Sequence, residues 1–213
     1  MSESQKRGRF IVFEGIDGCG KTTQINLLKE HLESLGKKVF ITSEPTPSLT
    51  GGMLRDALGG VNKKTPCEMA VMFVLDRIFH NVNPVYGIEK MLSEGYDVIC
   101  DRYYYSSLAY QGSETDFEWV KTMNLSCPDI RKPDACIFLD LSPKESLRRI
   151  NIGRVGKEIY ETEEKLTVFR NRFFQIFSLL EKTDRIIVIS ADGSVGDVAL
   201  KIQQAYAGLE SVL

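Results

Sequence analysis

One stretch near the start of the chain decides the fold: Phe10-Ile11-Val12-Phe13-Glu14-Gly15-Ile16-Asp17-Gly18-Cys19-Gly20-Lys21-Thr22-Thr23. Its apolar beginning predicts a buried β-strand, and the apolar-periodic residues that follow it predict a helix. Between them lies the spacing G-x-x-x-x-G-K-T, the Walker A pattern, in which backbone N–H groups and a helix N-terminus surround a phosphate. The stretch therefore predicts a P-loop that binds a nucleoside triphosphate.

The side chains of this stretch also suggest chemical tasks. Lys21 would reach the β- and γ-phosphates, and the Thr22 hydroxyl would coordinate Mg²⁺. A chance glycine-rich turn is the competing interpretation, but the strand, the motif and the helix occur in the required order. The predicted ATP-binding residues of the stretch are Gly15, Ile16, Asp17, Gly18, Cys19, Gly20, Lys21, Thr22 and Thr23.

The composition is typical of a soluble protein with one domain. The chain has 213 residues and a formal net charge of −2, which argues against a nucleic-acid polymer as partner. Its 5 cysteines are scattered without a C-x-x-C pair, which favours reduced thiols in the cytoplasm over disulfides or a zinc site. No apolar run reaches the roughly 18 residues of a membrane span. Residues 1–9 are polar and basic and are expected to form a disordered tail.

Strand and helix patterns alternate along residues 10–213, which predicts a single α/β domain with a parallel sheet covered on both faces. After the first strand, further strands are expected at 37–42, 96–101, 135–140 and 185–190. Helices are expected at about 21–35, 50–58, from Pro66, at 84–93, 104–111 and 115–125, from Pro143, at 161–182 and after residue 194. Ligands of such sheets bind beyond the carboxyl ends of the strands. The charged residues at those ends are Asp17, Glu44, Asp101, Arg102 and Asp140.

A second motif follows the third predicted strand, where Asp101-Arg102-Tyr103 precedes a short helical stretch. An acid at that strand end can reach Mg²⁺ through water, and an arginine can form paired hydrogen bonds with a phosphate. Tyrosines 103–105 and Tyr110 suit a nucleoside cleft, although core packing explains any one of them equally well.

Two further stretches carry weaker signals. Phe73 and Arg77 are four residues apart on one predicted helix face, where a ring and a guanidinium suit a planar base. A core phenylalanine beside a surface arginine is the alternative. Residues 148–157 combine glycines with several cations, among them Arg149 and Arg154, and predict a lid over about 148–160. A solvated basic loop is the alternative there.

Together these stretches resemble the thymidylate (dTMP) kinase family of nucleoside monophosphate kinases, nearly from end to end. The resemblance is most specific at residues 13–23, at Glu44-Pro45 and at residues 101–112. It implies a three-layer P-loop kinase fold whose five-stranded parallel sheet has the order 2-3-1-4-5. It also implies phosphorylation of dTMP by ATP with Mg²⁺ in dTTP synthesis, by a cytoplasmic homodimer without membrane or nucleic-acid partners.

The resemblance implies roles for residues of the acceptor site. Asp17 would hold the region of the sugar 3′-hydroxyl and the metal site, while Arg102 would bind the acceptor phosphate. Phe73 would stack on thymine and Arg77 would bind its O4 atom. Ser107 would read the thymine edge, and Tyr110 would crowd the 2′ position and favour deoxyribose. The implied substrate-binding set is Asp17, Glu44, Phe73, Arg77, Arg102, Ser106, Ser107, Tyr110 and Gln111, and the implied metal-binding pair is Thr22 and Asp101.

Two features differ among members of the family. Ser43 stands where bacterial members usually have an arginine, and Thr46 or Arg55 are the candidates to replace that cation. Gly18-Cys19 leaves the P-loop without an arginine, which implies that a lid arginine is catalytic. The implied catalytic set is Lys21, Arg102, Asp17, Arg154 and Arg149. Asp192, near Ile189 and Gly193, is implied to lie beside the adenine of ATP.

Other functions remain open from the residues alone. A kinase for another nucleotide or for a deoxynucleoside would carry the same P-loop. A non-catalytic P-loop switch protein is a different class, although the chain has no N-K-x-D guanine motif. A poorly active kinase homologue is also compatible with Ser43.

Overall fold

The structure, a computed structural model, describes residues 7–153 and 162–209. Its strands form one parallel sheet in the order β2-β3-β1-β4-β5. The strands are β1 (Phe10–Glu14), β2 (Lys38–Ser43), β3 (Tyr96–Asp101), β4 (Ala135–Asp140) and β5 (Ile186–Ser190). The predicted α/β class and strand order are confirmed, and the bounds differ from those expected by at most 1 residue.

The helices of the described residues cover both faces of the sheet. They are α1 (Lys21–Ser34), α2 (Leu49–Leu58), α3 (Pro66–Val82), α4 (Ile88–Ser93), α5 (Tyr104–Ala109), α6 (Gln111–Glu114), α7 (Phe117–Leu125), α8 (Pro143–Gly153), α9 (Glu163–Leu180) and α10 (Val195–Ala207). In these parts of the chain we find no helix with the length and apolarity needed to cross a membrane.

Two helices differ from the sequence prediction. Helix α4 begins at Ile88 rather than near residue 84, because Asn83 Oδ1 accepts hydrogen bonds from the N–H groups of Val85 and Tyr86 and closes a turn. The helix predicted over 104–111 is divided at Tyr110 into α5 and α6.

Strand β1 lies at the centre of the sheet and is buried on both faces. Phe10 and Val12 belong to the core cluster that includes α5 and α9, whereas Ile11 and Phe13 belong to the cluster that includes α1 and α10. This alternation follows from the period of two residues in a strand. Because β1 is the central strand, the P-loop that follows it lies at the middle of the carboxyl edge of the sheet.

Residues 7–9, which precede β1, contact the rest of the fold. Arg7 forms an ion pair with Asp134 at 2.6 Å, and the N–H of Gly8 donates to the carbonyl of Leu92 at 3.0 Å. The carbonyl of Arg9 accepts a hydrogen bond from the N–H of Val98, which extends the pairing of β1 with β3. Residues 7–9 are therefore bound to the fold, and residues 1–6 lie outside the described part of the chain.

Asp184 lies in the turn before β5 and binds two buried tyrosines. Its Oδ2 atom accepts hydrogen bonds from the hydroxyls of Tyr104 at 2.5 Å and Tyr105 at 2.7 Å, and Lys132 lies 3.0 Å from Oδ1. Burial alone would raise the pKa of this carboxyl, but the hydrogen bonds from the two tyrosines and Lys132 outweigh burial and lower it.

We expect Asp184→Asn to lower the free energy of unfolding at pH 7 by about 1–3 kcal/mol, because it removes an ionised acceptor of buried hydroxyls. The depressed pKa means that this stability is present above the unfolded pKa of about 3.9 and is lost as pH falls through the folded value. Urea denaturation between pH 7 and pH 3 measures the difference, with the exposed Asp129→Asn as control. A difference that stays constant over this range would contradict the assignment.

Candidate active site

The P-loop joins β1 to α1 through glycines in unusual backbone conformations. Gly20 caps α1 with φ at 96°, and no atom lies within 4 Å of the position that a Cβ would take. At Gly15 a Cβ would lie 2.6 Å from Cys19 Sγ and 2.8 Å from the carbonyl oxygen of Leu139. Lys21 Nζ donates to the carbonyl of Gly15 at 3.0 Å, so its ammonium group is held over the loop.

A cavity of about 570 Å³ lies above this loop, and we call it the P-loop cavity. It brings three cations, Lys21, Arg102 and Arg149, to the same space as the N-terminus of α1, which suits a polyanion such as a triphosphate. The lining residues are Asp17, Gly18, Gly20, Lys21, Thr22, Thr23, Asp101, Arg102, Arg149 and Ile150.

Asp101 and Thr22 line the P-loop cavity together, as expected for a metal site. Asp101 Oδ1 is buried and has no hydrogen-bond partner among the described residues. A buried carboxylate oxygen without a partner is costly unless a cation compensates it. The described residues include no group of three or more His, Cys, Asp or Glu side chains placed to hold a metal. This donor set fits Mg²⁺, which uses one or two protein oxygens together with phosphates and water.

Arg102 is held in place from several sides. Its backbone has a positive φ of 67°, and its N–H donates to the carbonyl of Phe13 at 2.9 Å. Its guanidinium donates to Asp17 Oδ1 at 2.5 Å and to Ser106 Oγ at 3.2 Å, and lies 5.5 Å from the ring centroid of Tyr110. Burial would lower the pKa of Arg102, but Asp17 and neighbouring acids raise it well above its usual value.

Glu14 stabilises the turn that carries Arg102. Its carboxylate accepts hydrogen bonds from the N–H groups of Tyr103 at 2.9 Å and Ser106 at 3.1 Å, and from the Ser106 hydroxyl at 2.7 Å. Burial raises the pKa of Glu14, although Arg102 and Ser106 act in the opposite direction. Glu14 thus fixes the backbone at Tyr103 and Ser106, directly after Arg102.

A second cavity of about 470 Å³ adjoins the first, and we call it the Phe73 cavity. Asp17 and Arg102 line both cavities, so the two spaces meet at this ion pair. The lining combines aromatic rings with polar groups, as ligand pockets for small planar molecules do. Its residues are Asp17, Glu44, Pro45, Arg55, Leu58, Gly59, Phe73, Arg77, Arg102, Tyr103, Ser106, Ser107, Tyr110 and Gln111.

Arg77 is almost completely buried and is therefore not a surface arginine. It donates to Glu44 Oε2 at 2.8 Å, to Ser107 Oγ at 3.1 Å and to Asn124 Oδ1. His80 lies 3.0 Å from the other oxygen of Glu44. These bonds fix the plane of the guanidinium at the wall of the Phe73 cavity.

Arg55 is one of the two residues that the sequence suggested as replacements for the arginine missing at position 43. Its Nη1 atom donates to the carbonyl of Thr46 at 2.5 Å, and it lines the Phe73 cavity beside Pro45. Ser43 pairs with Asp101 in the sheet and does not line that cavity. The Phe73 cavity thus has an arginine that α2 supplies, whereas β2 supplies none.

A third cavity of about 230 Å³, the α10 cavity, continues from the P-loop cavity and shares Gly20, Thr23 and Arg149 with it. Arg149 donates to Glu145 at 2.8 Å and to the carbonyl of Ala191 at 3.3 Å, so it lies at the boundary of the two spaces. The α10 cavity is lined by Cys19, Gly20, Thr23, Gln24, Arg149, Ala191, Gly193, Val195 and Val198.

Some predicted site residues do not reach a cavity. Asp192 is exposed, and its neighbours Ala191 and Gly193 line the α10 cavity instead. The side chain of Ile16 is part of the core, because the loop turns it inward. Arg154 and Lys157 lie outside the described residues.

Comparison with known proteins identifies relatives of this chain. A model of the family described as thymidylate kinase matches residues 13–202. A probable thymidylate kinase of Pyrococcus horikoshii is 40% identical over 199 residues, which cover 90% of this chain and 92% of the relative. A probable thymidylate kinase of Methanococcus aeolicus is 39% identical, with 86% and 88% covered. A thymidylate kinase of Akkermansia muciniphila is 34% identical, with 95% and 93% covered.

Proposed function

Because this chain belongs to the thymidylate kinase family, we propose that it transfers the γ-phosphoryl group of ATP to the 5′-phosphate of dTMP. The products are ADP and dTDP, a step of dTTP synthesis. The observation that best supports the proposal is the junction of the P-loop cavity and the Phe73 cavity at Asp17 and Arg102. A donor and an acceptor placed in these two spaces present their phosphates to the same arginine.

The Phe73 cavity suits the nucleoside of dTMP. Phe73 offers a ring face for stacking on thymine, and Arg77 with Ser107 offers polar groups at the base edge. Tyr110 packs on Phe169 with ring centroids 4.1 Å apart, which holds its ring where the sugar would lie. Arg55 and Arg102 flank the remaining space and would bind the acceptor phosphate.

ATP would place its phosphates in the P-loop cavity and its adenine in the α10 cavity. Thr22 and Asp101 would hold Mg²⁺, which neutralises charge on the phosphates when it is bound. Lys21 and Arg102 would share the charge of the transferring group. Arg149 borders both donor cavities and is the described candidate for the additional catalytic cation, with Arg154 as the alternative outside the described residues.

Catalysis by this arrangement needs no strong general base, since the attacking group is already an anion. The protein contributes alignment of the two phosphates and neutralisation of their charge. Asp17 accepts a hydrogen bond from Arg102 and thereby orients it between the two cavities.

The test is an ADP-release assay with ATP and Mg²⁺ across dTMP, dUMP, dCMP and thymidine. We expect dTMP to be the best acceptor and thymidine to be inert. Turnover of thymidine without turnover of dTMP would instead support a deoxynucleoside kinase. Nucleotide-dependent binding of a protein partner without turnover of any monophosphate would support the switch class.

We predict that Arg55→Met raises the KM for dTMP by about ten- to a hundredfold, because it removes a charge-assisted hydrogen bond to the acceptor phosphate. The KM for ATP should change less than about twofold. Steady-state kinetics with each substrate varied in turn measures both. Arg185→Met is the matched control, since Arg185 also donates to a backbone carbonyl but lies far from the cavities. An unchanged KM for dTMP in Arg55→Met would remove Arg55 from the site.

We also propose a cytoplasmic homodimer. Val71, Leu75 and Val82 form an exposed apolar stripe on α3, the helix that carries Phe73 and Arg77. A second copy packed on this stripe would remove it from water. Sedimentation of the wild type and of Leu75→Asp tests this, and a wild-type monomer at micromolar concentration would refute it. The five free thiols of the structure suit a reducing compartment.

A further inference from the structure

Asp76 is a fully buried acid whose hydrogen bonds all go to one segment of the chain. Its Oδ2 atom accepts from the N–H of Thr46 at 2.8 Å, and its Oδ1 atom accepts from the hydroxyls of Thr46 and Thr50, both at 2.6 Å. The hydroxyl of Ser48 donates to Oδ1 at 3.2 Å. All these donors belong to residues 46–50, which connect β2 to α2.

This segment adjoins the Phe73 cavity without lining it. Pro45, immediately before it, lines the cavity directly. Arg55 lines the cavity from α2, and its Nη1 atom donates to the carbonyl of Thr46. Asp76 and Arg55 therefore bind the same residue, Asp76 through the N–H of Thr46 and Arg55 through its carbonyl.

Because Asp76 is buried, its carboxylate requires the hydrogen bonds from residues 46–50. A buried carboxylate is tolerated only where its oxygens are hydrogen-bonded, because it loses its hydration. The described residues offer Asp76 no ion-pair partner, so three hydroxyls and one N–H compensate its charge. Any conformation of residues 46–50 that withdraws these donors would leave the charge uncompensated. The conformation that presents Arg55 to the cavity is thus strongly favoured.

We propose that Asp76 is a positioning residue for the acceptor phosphate, acting through Thr46 on Arg55. Asp76 itself does not line the Phe73 cavity, so it would act without touching a substrate bound there. The inference rests on the proposed phosphorylation of dTMP. It explains how an arginine on α2 can take the place of the arginine that is absent at position 43. Because the base-facing Arg77 is the next residue of α3, one helix turn fixes both ends of the acceptor site.

The test compares Asp76→Asn, Arg55→Met and the double variant with the wild type. Asparagine keeps the size of the side chain but replaces one acceptor oxygen with an NH₂ group, which cannot accept a hydrogen bond from residues 46–50. We expect Asp76→Asn to raise the KM for dTMP at least tenfold and to leave the KM for ATP within about twofold. Arg55→Met should add less than about threefold in the Asp76→Asn background, because the two residues act as one unit.

Two further variants keep the test decisive. If Asp76→Asn does not fold, Thr46→Val removes one hydroxyl donor at nearly constant shape and should show the same selective rise in the KM for dTMP. The exposed Asp56→Asn on α2 is the control and should leave both KM values unchanged.

Two results would overturn the inference while leaving the function intact. The first is full additivity of the effects of Asp76→Asn and Arg55→Met on the KM for dTMP, while the wild type phosphorylates dTMP. The second is an equal rise of both KM values in Asp76→Asn and Thr46→Val, which indicates a general loss of structure. A wild type that does not phosphorylate dTMP would instead refute the proposed function, and the inference with it.

Discussion

Lys21→Met is expected to lower kcat by about three orders of magnitude, with little change in the free energy of unfolding. The ammonium of Lys21 is held over the P-loop by the carbonyl of Gly15 at 3.0 Å and faces the P-loop cavity. Removal of one preorganised positive group from a phosphoryl-transfer site costs about 10²–10³ in rate, and Lys21 is the central cation here. Methionine preserves the buried stem, so packing should be retained. ADP release at saturating dTMP and ATP measures the effect.

Lys29→Met on the same helix is the matched control for this prediction. Lys29 lies on the exposed side of α1, 3.7 Å from Glu33, and faces no cavity. Such surface pairs contribute little to stability, so this variant should keep wild-type turnover and stability. Turnover close to normal in Lys21→Met would contradict the placement of the phosphates.

The second large effect is expected for Arg77→Met. Arg77 and Glu44 are both buried and lie 2.6 Å apart, so removal of the guanidinium leaves a buried carboxylate whose remaining side-chain partner among the described residues is His80. Loss of one partner of a buried pair costs about 3–5 kcal/mol of unfolding free energy. The KM for dTMP should also rise by at least a hundredfold, since the base edge loses its guanidinium. Urea denaturation and steady-state kinetics measure the two losses separately.

A double variant identifies the source of the destabilisation. Arg77→Met combined with Glu44→Gln removes the buried charge and should recover a large part of the lost stability, but not the affinity for dTMP. If both variants unfold at the same urea concentration, the uncompensated charge of Glu44 is not the cause.

Local patterns were sufficient to predict the fold and most of the residues that line the P-loop cavity. The apolar strands, the glycines of the P-loop and the Asp101-Arg102 turn are each contained within a few consecutive residues. The order of the sheet and the meeting of Asp17 with Arg102 then follow from strand ends that share one edge. Family resemblance added the identity of the acceptor.

The walls of the Phe73 cavity could not be predicted in the same way, because their contacts join distant residues. Arg77 meets Asn124, which is 47 positions away, and Asp76 meets Thr46, which is 30 positions away. In the sequence Arg55 resembles any arginine on a short helix, and its bonds to the carbonyls of Thr46 and Pro45 are visible only in the structure. Asp192 illustrates the opposite case, since a charged residue at a strand end projects into solvent.

The left-handed backbone of Arg102 sets stability against activity at a single position. A non-glycine residue with φ near 67° costs about 1 kcal/mol or more relative to glycine, so Arg102→Gly would relax the turn. The same change deletes the guanidinium that lines both cavities and donates to Asp17. Selection for thermal robustness alone would therefore drift toward glycine at this position, whereas selection for turnover must keep the strained arginine. A library screened first for folding and then for activity would show this conflict directly.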